Sequence, residues 1–236
     1  MTDTASQPIR PDVDRILRQA FPRGVMAPAL DIQKSQLAAI FPRLKTRLLA
    51  IDGAAVAYER DPLGGDGWEA GDGRLPSSPG SGDRDDHPSS YYLLFLAATA
   101  EPCRVGDGET LKIGYSVALS VMAPMALVVL QHIDEDEDRF AQSIPDISPE
   151  PVEDEDGEDI EIDRFCRERL PPAGQAALER LREEVTAALD EFGFQVLPRE
   201  EQSKPVPWLE VPAMPFARPI RLSVRDALFF WAVGAA

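Results

Sequence analysis

Asparagine is absent from this chain, so it offers no N-glycosylation acceptor. Cysteine is almost absent: Cys103 and Cys166 stand far apart and form no CxxC. Neither a disulfide framework nor a zinc knuckle follows, and a reducing cytoplasm is the expected compartment. Lysine is scarce as well, with four against twenty arginines. Together with abundant Ala, Gly and Pro, this bias is associated with the codons of a GC-rich bacterial genome. The N-terminal stretch MTDTASQPIRPDVDR has no apolar core of the kind a secretory signal needs.

Histidine is limited to His87 and His132, which narrows the catalytic chemistry available. His87 lies in a Gly/Pro/Ser-rich tract where nothing would hold it in reactive geometry. His132 and Asp134 have the spacing that places two side chains on one face of a strand, so they could supply two metal ligands or an acid–base pair. A partly buried histidine at a sheet edge is the plainer reading. Cys103 or Cys166 would need that same His132 as a base to act as a nucleophile. Phosphate loops fare no better. GDGWEA at 65–70 meets a relaxed G-x-G-x-x-A pattern, but it opens no helix, and GYSVA at 114–118 misses the nucleophile elbow at Ala118. No cofactor is called for.

What is present in excess is negative charge, concentrated in one place. The formal charge is −17 overall. Residues 134–163 hold 15 Asp and Glu against the single basic Arg139, or −14. The remaining chain carries 26 acidic and 23 basic groups, or −3. Nucleic acid is therefore an unfavourable ligand, because affinity for phosphate backbones comes from Lys and Arg. The acidic window could instead steer a basic protein. A calcium loop fails the register test. With Gly157 as the sixth position, Asp154 and Asp156 fall correctly, but Val152 occupies the first ligand position and Asp163 replaces the final Glu. Pro145, Pro149 and Pro151 argue against regular pairing, so a solvated, flexible loop is expected.

Along the chain, apolar spacing predicts a helix over 11–21 and a second over about 30–41, ended by Pro42. Asp52-Gly53 suggests a hairpin turn, with a helix as the competing reading. Residues 61–90 hold 16 Gly, Pro and Ser in 30 positions, which predicts a flexible excursion. Residues 113–131 carry no formal charge, which is long enough for a membrane span. Their valines, Ser116, Ser120 and central Pro124 fit better with two buried strands joined at the proline. A long helix follows, with Leu178, Leu181, Val185, Leu189 and Phe192 on one face and Gly193 as its stop. Trp208 sits among prolines and could present its indole to a partner or pin a connector to the core. Ser223 and Asp226 have capping-box spacing.

These features predict a single α+β domain: a central antiparallel sheet of about five strands packed by amphipathic helices, interrupted by loops at 61–90 and 134–163. The function they favour is non-catalytic binding of a basic protein, of the immunity or inhibitor kind. The contact residues would be Asp134, Glu135, Asp136, Glu137, Asp138, Glu153, Asp154, Glu155, Asp156 and Trp208. The alternative is a metal-dependent hydrolase or nuclease built on His132 and nearby carboxylates.

Overall fold

The structure, a computed structural model, describes residues 8–26, 36–61, 65–67, 69–70, 73–74, 91–98, 103–105, 109–134, 147, 149, 151–153, 158–210 and 222–229. The fold is α+β, with one central sheet covered on both faces.

Helix α1 spans Pro11–Ala20. Pro11 starts it where a missing N–H costs nothing, Asp12 and Asp14 suit its positive end, and Val13 and Leu17 are buried. A short 3₁₀ turn, Leu37–Ile40, leads into α2, Phe41–Leu49. The expected stop at Pro42 is thus corrected. Pro42 lies in the first turn of α2, where its N–H would have had no helical acceptor, so it initiates the helix. Residues 30–35, the first half of that expected helix, lie outside the described residues. Asp52-Gly53 does not close a hairpin either. Gly53 takes a positive φ of 77° in a turn that joins α2 to strand β1, Ala54–Asp61.

The sheet continues with β2 (Gly65–Gly67), β5 (Tyr91–Ala98), β6 (Cys103–Val105), β7 (Glu109–Ser120), β8 (Met125–Asp134) and β11 (Gln195–Val196). Between these in sequence, β3 (Glu69–Ala70) pairs with β4 (Gly73–Arg74), and β9 (Val152–Glu153) pairs with β10 (Asp159–Ile160). The main order is β11-β8-β7-β5-β1-β2, with β6 beside β7. Its pairings are antiparallel except for β11, which runs parallel to β8. The start of the 61–90 tract therefore belongs to the sheet: Asp61 ends β1, and Gly65, Asp66 and Gly67 pair back onto it. The rest of that expected excursion, apart from β3 and β4, lies outside the described residues.

β5 is buried on both sides, as a run of seven apolar residues requires. Tyr92, Leu94 and Leu96 face a layer built from α2, α3 (Ile162–Arg169) and α4 (Pro172–Glu191). Tyr91, Leu93, Phe95 and Ala97 face the opposite layer, made by α1, the 197–209 connector and α6 (Val224–Leu228). A four-residue helix, α5 (Arg199–Gln202), interrupts that connector. The 113–131 window is the β7–β8 hairpin, turning through 121–124, and no helix among the described residues is long and apolar enough to cross a membrane.

The hairpin's polar residues are satisfied inside the protein. Ser116 donates to Gln131 Oε1 at 3.0 Å and Ser120 donates to Leu228 O at 2.9 Å, as buried hydroxyls must. Gly114 is required by strand packing: a Cβ there would lie 2.0 Å from Leu96 O. On α4, Leu178, Leu181, Val185 and Leu189 are buried as expected, Phe192 is half-buried, and Gly193 ends the helix at φ 79°. Ser223 and Asp226 form the expected capping box, with Asp226 N donating to Ser223 Oγ at 3.1 Å.

Candidate recognition surface

The acidic window starts at the end of the central sheet and closes in a separate two-stranded hairpin. Asp134 is the last residue of β8, paired in register with Leu111. Downstream, Glu153 pairs with Asp159 and Val152 with Ile160 in the β9–β10 hairpin. Val152, Ile160 and Ile162 are buried in the same apolar cluster as Leu111 and Ile113. Glu158, Asp159 and Glu161 are exposed. The sequence Asp159-Ile160-Glu161-Ile162 thus alternates out and in, so its apolar side chains anchor the segment while its carboxylates project into water.

This corrects the expectation of a wholly solvated loop without regular pairing. The prolines at 149 and 151 precede the pairing, and burial of Val152 and Ile160 offsets the entropy of ordering it. Glu135, Asp136, Glu137, Asp138, Asp154, Glu155 and Asp156 lie outside the described residues.

α3 begins directly after this anchored stretch. Asp163 lies in its first turn and Arg167 and Arg169 in its last, which complements the helix dipole. The carboxylate of Asp163 accepts from Arg199 Nη1 at 3.3 Å, and Arg164 pairs with Glu168 at 3.0 Å. Both pairs are exposed, so each adds little to stability.

The other sequence candidates are dispersed. His132 is half-buried in β8 opposite Ile113. Cys166 is buried in α3, while Cys103 begins β6 beside Leu111. His87 is outside the described residues. Among the described residues, no group of three or more His, Cys, Asp or Glu comes together that could hold a metal ion. GDGWEA contributes β2 and β3, with no helix following, and GYSVA lies inside β7.

Trp208 sits half-buried against α1. Its Nε1 donates to Asp14 Oδ1 at 2.9 Å, and the Arg18 guanidinium lies 4.4 Å from the ring centroid. Burial pulls the Asp14 carboxyl upward, but hydrogen bonds from Arg18 and Trp208 outweigh it and hold its pKa below the usual 3.8.

Two polar arrangements went unseen in the sequence. Glu201 is 1% exposed and accepts from Arg10 N at 3.0 Å and from Lys204 Nζ at 2.6 Å. Lys204 also donates to Pro8 O at 2.9 Å, so this ion pair ties the N-terminal arm to the connector. On the opposite layer, Lys45 and Tyr92 both donate to the Glu59 carboxylate. Glu201 and Lys204 are only three residues apart, but no local pattern marks the N-terminal groups that join them, nor the convergence of Lys45, Glu59 and Tyr92. Beyond its own geometry the chain has no guide: no family model, curated protein or solved structure matches it.

Proposed function

We propose that this chain is a non-catalytic binding protein that recognises a basic partner protein through its acidic segment 134–163, in the way an immunity or inhibitor protein opposes a basic effector. The observation that carries this reading is the concentration of −14 in one window of a chain whose remainder is nearly neutral. The window is held to the fold by Val152, Ile160 and Ile162, so its charge is presented from a fixed base. Such a field raises the encounter rate with an oppositely charged surface and disfavours acidic competitors. The near balance of the remaining charge leaves this segment as the source of that attraction.

The test replaces Asp134, Glu135, Asp136, Glu137 and Asp138 by Ser, with immobilised poly-lysine as the basic probe. Binding should weaken in the variant while its thermal transition stays where it was. A large loss of stability, or a divalent ion held at one equivalent and lost with these substitutions, would contradict recognition and favour a metal site at His132 and Asp134.

A further inference from the structure

The buried Glu201 carboxylate lies where three parts of the chain meet. Its Oε2 accepts from Arg10 N at 3.0 Å and its Oε1 from Lys204 Nζ at 2.6 Å, while the same ammonium donates to Pro8 O at 2.9 Å. These donors replace the hydration that a carboxylate only 1% exposed has given up. Pro8 and Arg10 are exposed and Ile9 is half-buried, so this arm runs along the surface and is fastened through the ion pair beneath it.

Lys204 also meets α6. Its carbonyl oxygen accepts from Val224 N at 2.9 Å, Val206 N donates to Leu222 O at 2.8 Å, and Pro205 and Ser223 form an antiparallel bridge between those two bonds. Ser223 is the N-cap of α6 and Val224 its first residue. The side chain of Lys204 thus holds the arm, while its backbone positions the start of a helix of five residues, too short to be stable without tertiary support. α6 in turn places Val224, Ala227, Leu228 and the following Phe229 in the layer against β5, where Phe229 meets Tyr91 edge-on at 6.1 Å.

We infer that the arm Pro8–Arg10 is a strap for α6. While the arm is docked, Glu201 and Lys204 are fixed and the start of the helix is held. When a cut or a partner that grips the arm withdraws it, the pair loses the bonds from Arg10 N and to Pro8 O, and α6 loosens. Such a linkage is reciprocal, so loosening α6 also loosens the arm.

The experiment uses the full chain and reads amide hydrogen exchange at single residues. Arg10 has φ −57° and ψ 139°, values that proline adopts ahead of Pro11, so Arg10→Pro removes the N–H from Glu201 with little change of backbone. Arg10→Ala keeps that N–H and loses only the guanidinium with its exposed bond to Asp12, and serves as the control. In the unaltered chain Val224 and Ala227 should exchange faster than Val185 in α4, because α6 opens without the opposite layer. Arg10→Pro should speed exchange at Val224 and Ala227 by about tenfold, and Arg10→Ala by less than about twofold. Ser223→Ala, which removes the capping box without touching the ion pair, reads the same linkage from the other end and should speed exchange of the Arg10 amide by about threefold or more. Unchanged exchange at Val224 and Ala227 in Arg10→Pro, or at Arg10 in Ser223→Ala, would overturn the strap. Equal rates at Val224, Ala227 and Val185 in the unaltered chain would overturn it as well, since α6 would then open only with the whole fold.

Discussion

Replacing Glu201 by Met should destabilise the protein substantially, and additionally replacing Lys204 by Met should recover part of the loss. Glu201 is 1% exposed and the Lys204 side chain 13%, so both charges are held largely away from water. The single substitution leaves the ammonium facing an apolar side chain and removes the acceptor for Arg10 N–H. Breaking a buried pair by deleting one partner costs about 3–5 kcal/mol. Lys204 keeps its bond to Pro8 O and some water contact, so the expected cost is lower, about 2–3 kcal/mol. For a chain of this size that corresponds to a fall of about 4–12 °C in the thermal midpoint. The double variant removes the stranded charge and should be about 1 kcal/mol more stable than the single one. Chemical denaturation with unchanged slope is the suitable assay. A cost below about 0.5 kcal/mol for Glu201→Met, or a double variant less stable than the single, would refute the buried-pair argument.

Three further expectations follow from other parts of the fold. Leu181→Ala should cost about 2–5 kcal/mol by opening a cavity under α4, whereas Glu184→Ala on its exposed side should be near neutral; equal small effects in denaturant melts would mean that α4 is peripheral. Burial pushes the Tyr115 hydroxyl from 10.0 up to about 12, only partly offset by Arg182, so the folded state favours the neutral phenol. That stability is present below pH 10 and is lost as pH rises towards about 12; Tyr115→Phe should flatten the alkaline limb of a stability profile. Asp14 has the opposite sign. Its folded pKa lies below 3.8, so its contribution is present above that value and lost as pH falls below it, and Asp14→Asn should abolish this part of the acid response of Trp208 fluorescence.

Elements whose burial follows a simple period were legible in the sequence. α4 showed its three- and four-residue spacing, β5 its continuous apolar run, and Ser223 its capping partner. Pro124 was readable as a turn because two β-rich apolar runs meet there. Pro42 misled because a proline ends one helix and begins another by the same loss of an N–H, and the local sequence does not say which. β11 was hidden because two residues of strand carry no periodicity. In the acidic window, charge drew attention to the solvated side of the chain and away from Val152, Ile160 and Ile162, whose alternation carries the anchoring. His132 and Asp134 shared a spacing that any strand would give them. In the Glu201–Lys204–Arg10 group only the three-residue spacing of Glu201 and Lys204 is local; the bonds from Arg10 N and to Pro8 O, which join opposite ends of the sequence, leave no mark in it.

Recognition through residues 134–163 is tested most directly by moving the loss of charge while keeping its size. One variant replaces Asp134, Glu135, Asp136, Glu137 and Asp138 by Ser. The other neutralises five exposed carboxylates elsewhere, Glu179, Glu183, Asp190, Glu200 and Glu210, so both lose the same net charge. Association rates with a soluble poly-lysine probe are then measured from low to physiological salt, where the screening length falls to about 8–10 Å. Only the 134–138 variant should associate more slowly and with less sensitivity to salt. Equal slowing in both variants would show that recognition follows total charge, and would contradict a localised acidic surface.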